Sequence, residues 1–563
     1  RRRAALSVVA MVVVTLSSLA VPYLLKVAID SGITAGDLDV LTWVIVAFIA
    51  VSVVNLGSSY LQTYLTSWVG EHVIYDLRRQ LFAHLQKLSL DFFSRQKTGW
   101  IVSRLTNDID ALDQLVTEGV TSLVTNSLTF VGAIVFLFIL DWRLALATLT
   151  VMPFLLAATL IFRSRSARAY AEVRNKIGDV SAHLQESISG VRVLQAFRRE
   201  QSDYERLEVV NAAYREVNMR TVVQSGVYFP FVEFVSTAAV VIVLWYGGTL
   251  IGGNTLQIGV LVAFIGYLNS FFDPLQQLSQ LYNTFQSSMA AVRKIYTVLD
   301  TDPDMLDVPG ALDLQDVSGT VELRAVTFGY DAGKPVLHDV DLSIPAGGTV
   351  ALVGATGAGK STVIKLLARF YDPQAGEVLI DGHDVRDVTQ RSLRVQLGVV
   401  PQEAFLFSGS VLDNIRFARP SASDDEVKRV ARIVGVHDFV AGLPQGYDTE
   451  VQEGGSALST GQRQLISFAR ALLADPRILI LDEATSSVDA ESERRIERAM
   501  EVLFSGRTSI IVAHRLSTVR YADEIVVVDD GRIAERGTHD ELVAASGRYA
   551  GLYRDWEATG MAL

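Results

Sequence analysis

Cysteine is missing altogether from this chain of 563 residues. That excludes disulfides, cysteine-held zinc and iron–sulfur clusters. An excess of positive charge is missing too. The formal net charge of −12 at pH 7 has the wrong sign for a nucleic-acid surface, so no nucleic-acid partner is expected. Long stretches also lack charge of either sign. Residues 4–25, 40–70, 119–140 and 144–162 carry none, and from 221 to 272 the only charge is Glu233. Gly247-Gly248 and Gly252-Gly253-Asn254 mark a turn that divides this last stretch. Each piece can cross about 30 Å of hydrocarbon, which predicts six membrane spans. Half of the residues are apolar (50%) and the mean hydropathy is +0.30. A membrane portion therefore accounts for the length better than a string of about four soluble domains. The chain opens on Arg1-Arg2-Arg3 rather than Met, so a start further upstream is expected. The first apolar segment is short enough to suggest a signal peptide, but five more follow it.

Lysine and arginine set the expected orientation. Residues 71–118 hold Arg78, Arg79, Lys87, Arg95, Lys97 and Arg104, and residues 163–220 hold eleven such side chains. The opposite connections are nearly bare of them: Asp30, Asp37 and Asp39, then Asp141-Trp142-Arg143, then an uncharged 247–256. Both termini and everything after the last span are thus predicted to be cytoplasmic. The two basic connections are far longer than helix turns need. They read as membrane helices continuing into the cytoplasm, bridged near 92–99 and 195–200. Residues 300–310 are acidic, contain proline and show no period, which predicts a linker over 300–318. It separates a membrane domain (1–299) from a domain of alternating strands and helices (319–563). Glu233 lies mid-span and Asp273 precedes Pro274. Acids inside a membrane are costly and commonly functional. The plainer reading is that each faces a water-filled cavity or a helix end, with Asp273 shaping a gate or kink.

The second half carries chemistry. Gly354, Ala355, Thr356, Gly357, Ala358, Gly359, Lys360, Ser361 and Thr362 follow an apolar run at 349–353 and precede a helical pattern. Such a loop points backbone N–H groups at phosphates, with the helix N-terminus adding positive potential. Lys360 is expected to reach the β- and γ-phosphates of ATP, and the Ser361 hydroxyl to ligate Mg²⁺. A second apolar strand, 478–481, ends in Asp482 and Glu483. Asp482 suits the Mg²⁺ shell, and Glu483 is placed to orient or deprotonate an attacking water. A third strand, 508–513, ends in His514, which can reach a γ-phosphate.

With Leu458-Ser459-Thr460-Gly461-Gln462 between these strands, the chain resembles an ATP-binding-cassette (ABC) exporter of the half-transporter type. The resemblance covers nearly the whole length. It implies a multidomain protein: an all-α six-helix transmembrane domain followed by an α/β P-loop ATPase domain. Carried over by position, Tyr330 would stack on adenine, and Gln402 would join the Mg²⁺ site and couple it to the membrane domain. Ser459, Gly461 and Gln462 would serve the ATP of an opposing domain, Asp489 would line the dimer seam, and His514 would be the switch histidine. Two departures stand out: Thr460 where the family usually has glycine, and Gln452 and Gly454 where it has Gly and Arg. A side chain at 460 is expected to restrict the backbone near a phosphate. This mixture resembles the catalytically competent subunit of a heterodimer, the alternative being a homodimer that tolerates Thr460. The activity implied is ATP-driven export of lipophilic or amphipathic compounds from a multi-pass position in the inner membrane. The partners would be a second half-transporter, the bilayer and a small lipophilic substrate. Import on the same scaffold, or ATP gating of a channel, are the alternatives.

Overall fold

The computed structural model describes residues 2–331, 333–455, 457–482, 490–513 and 516–558. The chain forms two compact units. One is Arg1–Ala83 with Ile101–Asp300, and the other is His84–Trp100 with Thr301–Leu563.

Eleven α-helices in chain order occupy the described part of the first 300 residues, with π-helical turns at Ala28–Ile33 and Leu115–Gly119: α1 (Arg2–Val27), α2 (Leu38–Leu85), α3 (Leu90–Arg95), α4 (Thr98–Leu105), α5 (Asn107–Gln114), α6 (Val120–Leu140), α7 (Trp142–Leu149), α8 (Met152–Ser189), α9 (Val191–Ala196), α10 (Glu200–Gly252) and α11 (Ile258–Leu299). Helices are expected to run past the membrane, and α2 and α10 are 48 and 53 residues long. The helical stretches break at 96–97 and 197–199, close to the expected bridges. Five helical stretches among the described residues are long and apolar enough to cross a membrane. The sixth expected span falls in α11, whose apolar part is the shorter Ile258–Pro274. The expected span at 144–162 is not one straight helix: a turn at Thr150–Val151 separates α7 from α8 just before Pro153, a residue fitted to a first helical turn.

Within this unit the core gathers Leu19, Leu137, Leu144, Val235, Phe264 and Tyr267. Tyr267 stacks on Phe136 at 5.1 Å and donates its hydroxyl to the Leu19 carbonyl. This satisfies a polar tip that would be costly in hydrocarbon. By contrast, Trp43, Leu56 and Tyr60 on α2 and Trp245 on α10 are more than 70% exposed, as apolar groups facing lipid should be. Glu233 and Asp273 are both exposed on this unit.

The second unit is built on two sheets. Its elements are β1 (Val321–Phe328), β2 (Leu337–Ile344), β3 (Thr349–Val353), α12 (Lys360–Leu367), β4 (Ala375–Ile380), β5 (His383–Asp384), α13 (Gln390–Val395), β6 (Leu397–Val400), β7 (Gly409–Ser410), α14 (Val411–Arg416), α15 (Asp424–Val434), α16 (His437–Ala441), β8 (Glu450–Val451), α17 (Thr460–Ala474), β9 (Ile478–Asp482), α18 (Ala490–Phe504), β10 (Thr508–Val512), α19 (Leu516–Val519), β11 (Glu524–Asp529), β12 (Arg532–Gly537), α20 (His539–Ala544) and α21 (Arg548–Ala558). The larger sheet runs β12-β11-β3-β10-β9-β6 and is parallel except for β12. β3 and β10 are buried along their whole length, as strands in the middle of a parallel sheet are. The smaller sheet, β2-β1-β4-β5, is antiparallel.

The segment expected as a linker, 300–318, is not free of this unit. Leu314 and Val317 are buried in its core, and Leu312 pairs with Val388. Asp381 fastens the end of the segment, accepting from Ser318 N and Oγ (2.6 Å each), Gly319 N (3.1 Å) and Thr320 N (2.7 Å).

Candidate functional site

Strand β3 delivers the chain to the phosphate loop, and close packing dictates its glycines. At Gly354 (φ 148°) a Cβ would lie 2.0 Å from the Val528 carbonyl on β11. At Gly359 (φ 109°), the residue capping α12, a Cβ would lie 2.7 Å from Leu337 Cδ2. Neither position accepts an L side chain without rebuilding the turn. Ala355, Thr356 and Gly357 are exposed, whereas Ala358 and Thr362 are buried. Lys360 is 5% exposed, and its ammonium donates to the carbonyls of Gly354 (2.8 Å) and Ala355 (2.9 Å). It therefore lies inside the loop it would share with a phosphate.

The sheet order brings the second carboxylate strand to this loop. β9 lies one strand away from β3, with β10 between them, and ends at Asp482. The Ser361 hydroxyl donates to Asp482 Oδ1 at 3.3 Å across 121 positions of sequence. β6 is the next strand out, with Val400 opposite Leu481, so Gln402 follows at the same end and is exposed. Glu483, Asp489 and His514 lie outside the described residues. The strands before two of them, β9 and β10, end at Asp482 and Val512.

Tyr330 comes just after β1. Its ring meets Phe328 and Tyr371 edge-on at 5.2 Å each, and Lys365 Nζ stands 5.1 Å over its face. Its hydroxyl is 3.0 Å from Thr362 Oγ1 on α12. The ring is thus tied to the phosphate-loop helix, and Phe328, Tyr371, Lys365 and Arg95 are site neighbours that sequence reasoning missed. No spacing signals them, because they converge from separate elements.

Ser459 caps α17 through a reciprocal pair with Gln462: Ser459 Oγ accepts from Gln462 N (3.2 Å) and Ser459 N donates to Gln462 Oε1 (2.9 Å). Gly461 is buried. Among the described residues, no hydrogen bond joins Ser459, Thr460, Gly461 or Gln462 to the phosphate loop of the same chain. Thr460 corrects one expectation. It is the first residue of α17, is exposed, and accepts from Arg463 through Oγ1 (3.2 Å). Helical backbone suits any L residue, so Thr460 brings bulk but no strain. Gly454 adopts φ 68°, which glycine reaches without strain and where an arginine would be uncommon.

Comparison with known proteins agrees with this geometry. The family model described as "ABC transporter transmembrane region" matches residues 4–275, and the one described as "ABC transporter" matches 337–486. The chain is 42% identical over 99% of its length to an uncharacterised ABC transporter ATP-binding protein, YknV, of Bacillus subtilis (strain 168), covering 92% of that protein. This chain belongs to the ABC transporter family. It is also 37% identical, over 98% of its length and 92% of the relative, to an ATP-dependent lipid A-core flippase of Syntrophus aciditrophicus (strain SB). To a putative multidrug export ATP-binding/permease protein of Staphylococcus aureus (strain bovine RF122 / ET3-1) it is 38% identical over 95%, covering 94% of that protein. Among solved structures, a bacterial Atm1-family ABC exporter with ATP bound superposes with a TM-score of 0.78 at 31% identity, covering 99% of this chain and 98% of that one. The protein is a multi-pass ABC exporter half-transporter that binds ATP and couples its hydrolysis to export. ABC exporters work as dimers, and one membrane unit with one ATPase unit is half of such a machine.

Proposed function

We propose that this half-transporter moves lipophilic or amphipathic molecules, drugs or lipids, outward across the inner membrane by alternating access, with both termini and the ATPase unit in the cytoplasm. The contact between Ser361 and Asp482 carries the ATPase part of this reading. It joins the phosphate-loop helix to the strand that leads into Glu483. A hydroxyl and a carboxylate are hard oxygen donors, the set that Mg²⁺ prefers, so the pair fits that ion, with Gln402 following the neighbouring strand. Mg²⁺ bound there would neutralise phosphate charge. Lys360 holds the β- and γ-phosphates, Tyr330 stacks on adenine, Glu483 orients the attacking water, and His514 contacts the γ-phosphate.

The relatives named for lipid A-core and multidrug export support the substrate class. We further read the partner as a different half-transporter with its own intact signature. Ser459, Gly461, Gln462 and Asp489 would then serve the partner's ATP, beside the departures at Thr460, Gln452 and Gly454. The test is transport in inside-out membrane vesicles. They should hydrolyse added ATP and accumulate a lipophilic dye, and Lys360→Ala should abolish both. ATP-driven depletion of the dye would overturn the direction, and hydrolysis by right-side-out vesicles alone would overturn the orientation.

A further inference from the structure

Within the first unit, α10 and α11 pack against each other, and Gly247 marks their register: a Cβ there would lie 2.5 Å from Leu261 Cδ1. Glu233 lies about 21 Å along α10 from that contact, and Asp273 about 18 Å along α11, at a helical rise of about 1.5 Å per residue. The two acids of the apolar stretches therefore stand at nearly the same depth on neighbouring antiparallel helices. Both are exposed, and among the described residues neither makes a hydrogen bond or an ion pair. No Lys, Arg or His occurs from 221 to 292, so this stretch supplies no counter-charge of its own. We propose that Glu233 and Asp273 form a recognition level for a positive charge on the transported molecule, which makes the favoured substrate a lipophilic cation. The proposal rests on the export reading above and narrows its substrate class.

The surroundings of both acids are rich in acceptors and aromatic rings. Pro230 has no N–H to give the Gly226 carbonyl, and Pro274 has none for that of Ser270. Each helix thus presents, close to its acid, a backbone oxygen short of its usual donor. Phe229, one turn before Glu233, is exposed, and so is Phe234 beside it, at 69%. Aromatic rings attract cations over their faces. Asn269 is exposed one turn before Asp273, and its amide oxygen is a further acceptor. Carboxylates, carbonyls and rings together suit an ammonium or a delocalised phosphonium charge, whereas an anionic lipid would meet two carboxylates. The membrane adds a second reason. A carboxylate exposed at this depth is costly against lipid tails, and a substrate of opposite charge offsets that cost. The apolar body of such a substrate is left to the exposed rings.

The test uses the purified full-length transporter in proteoliposomes, with ATP added outside. The probes are tetraphenylphosphonium, tetraphenylborate of the same shape and opposite charge, and uncharged Nile red. ATP should drive uptake of tetraphenylphosphonium and Nile red, with tetraphenylborate taken up at least about ten-fold less well. Glu233→Gln and Asp273→Asn should each lower the ratio of kcat/KM for tetraphenylphosphonium over Nile red by about ten-fold, the order of one lost charge-assisted contact. Phe234→Ala should lower it by about three-fold and Phe234→Trp should restore it, as a cation–π contact requires. Both acids are exposed, so their amides should leave a folded protein. If the amides slow both substrates in proportion, or leave the ratio at its wild-type value, the acids face water or hold structure and the inference fails. It fails too if Glu233→Gln dissociates the dimer with the ratio unchanged, which would assign the acid to a subunit contact. Uptake of Nile red without tetraphenylphosphonium overturns the inference and leaves the export reading in place. Uptake of neither removes the export reading and this inference with it.

Discussion

Glu483 is the acid next to Asp482 at the end of a buried strand, and its assignment as the water-orienting group makes the sharpest claim at the scale of one residue. Glu483→Gln should retain ATP binding and lose at least about 10²-fold in turnover, the lower range for a missing general base. Steady-state hydrolysis within a few-fold of wild type would remove it from that role. Much of the site was legible at this scale. Gly354, Gly359, Lys360 and Ser361 stand at spacings that only a phosphate-binding turn explains, and backbone crowding by Val528 and Leu337 supplies the physical reason for both glycines. Thr460 was read less well. A helix N-terminus and an irregular loop look alike in sequence, and only the reciprocal bonds of Ser459 and Gln462 show that residue 460 is helical.

At the scale of elements, two polar constellations add to apolar packing. In the first unit, α4 and α5 meet α11 through Arg104, Asp108 and Lys294: Arg104 pairs with Asp108, whose other oxygen lies 3.4 Å from Lys294 Nζ. Arg104 and Asp108 are each only 8% exposed. Asp108→Ala should destabilise this region by about 1.5–3 kcal/mol, the order of a hydrogen bond to a charged group, because it removes the buried carboxylate that Arg104 and Lys294 share. Asp108→Ala with Arg104→Met should recover part of the loss. A thermal-unfolding midpoint unchanged by the single substitution would show the pair to be dispensable. In the second unit, Asp381 ties the strand region at 318–320. Burial works against its ionisation, yet the hydrogen bonds from Ser318, Thr320 and Gly319 outweigh that and hold its carboxyl below the usual carboxylate range. A depressed folded-state pKa stabilises above the unfolded value, near 3.9, and the contribution is lost as pH falls through the folded value. Asp381→Asn keeps the left-handed backbone (φ 49°) accessible. It should cost about 1 kcal/mol at pH 7, a modest figure because the group is partly solvated. The gap from wild type should close below about pH 4, and a gap independent of pH would contradict the charge-based account.

The whole molecule poses the question of symmetry. Lys360, Asp482 and Glu483 are assigned to this chain's own nucleotide, whereas Ser459 and Thr460 are assigned to the partner's. If the partner is a different subunit lacking the catalytic acid, the site built on Lys360 is the fast one. Thr460→Gly should then change total ATPase less than two-fold, since the partner's missing acid still limits the other site. In a homodimer both sites contain Thr460, and the same change should alter activity at both. Purification of this polypeptide alone decides between them: a stable, fully active homodimer would overturn the heterodimer.

Charge gaps and the lysine–arginine pattern told by themselves of a membrane half, since a bilayer penalises every charge and so leaves blanks in the chain. The phosphate loop and the strand ending in two acids likewise declared an ATPase, because phosphate chemistry tolerates few backbone solutions. Other features could not be read that way. The packing of Leu314 and Val317 into the ATPase core depends on neighbours remote in sequence. So do the meeting of Ser361 with Asp482 across 121 positions and of Arg95 with Tyr330 across 235. Local spacing encodes what a segment can do by itself, whereas pairings across the fold exist only once the strand order and the docking of α3 bring their atoms within hydrogen-bond reach.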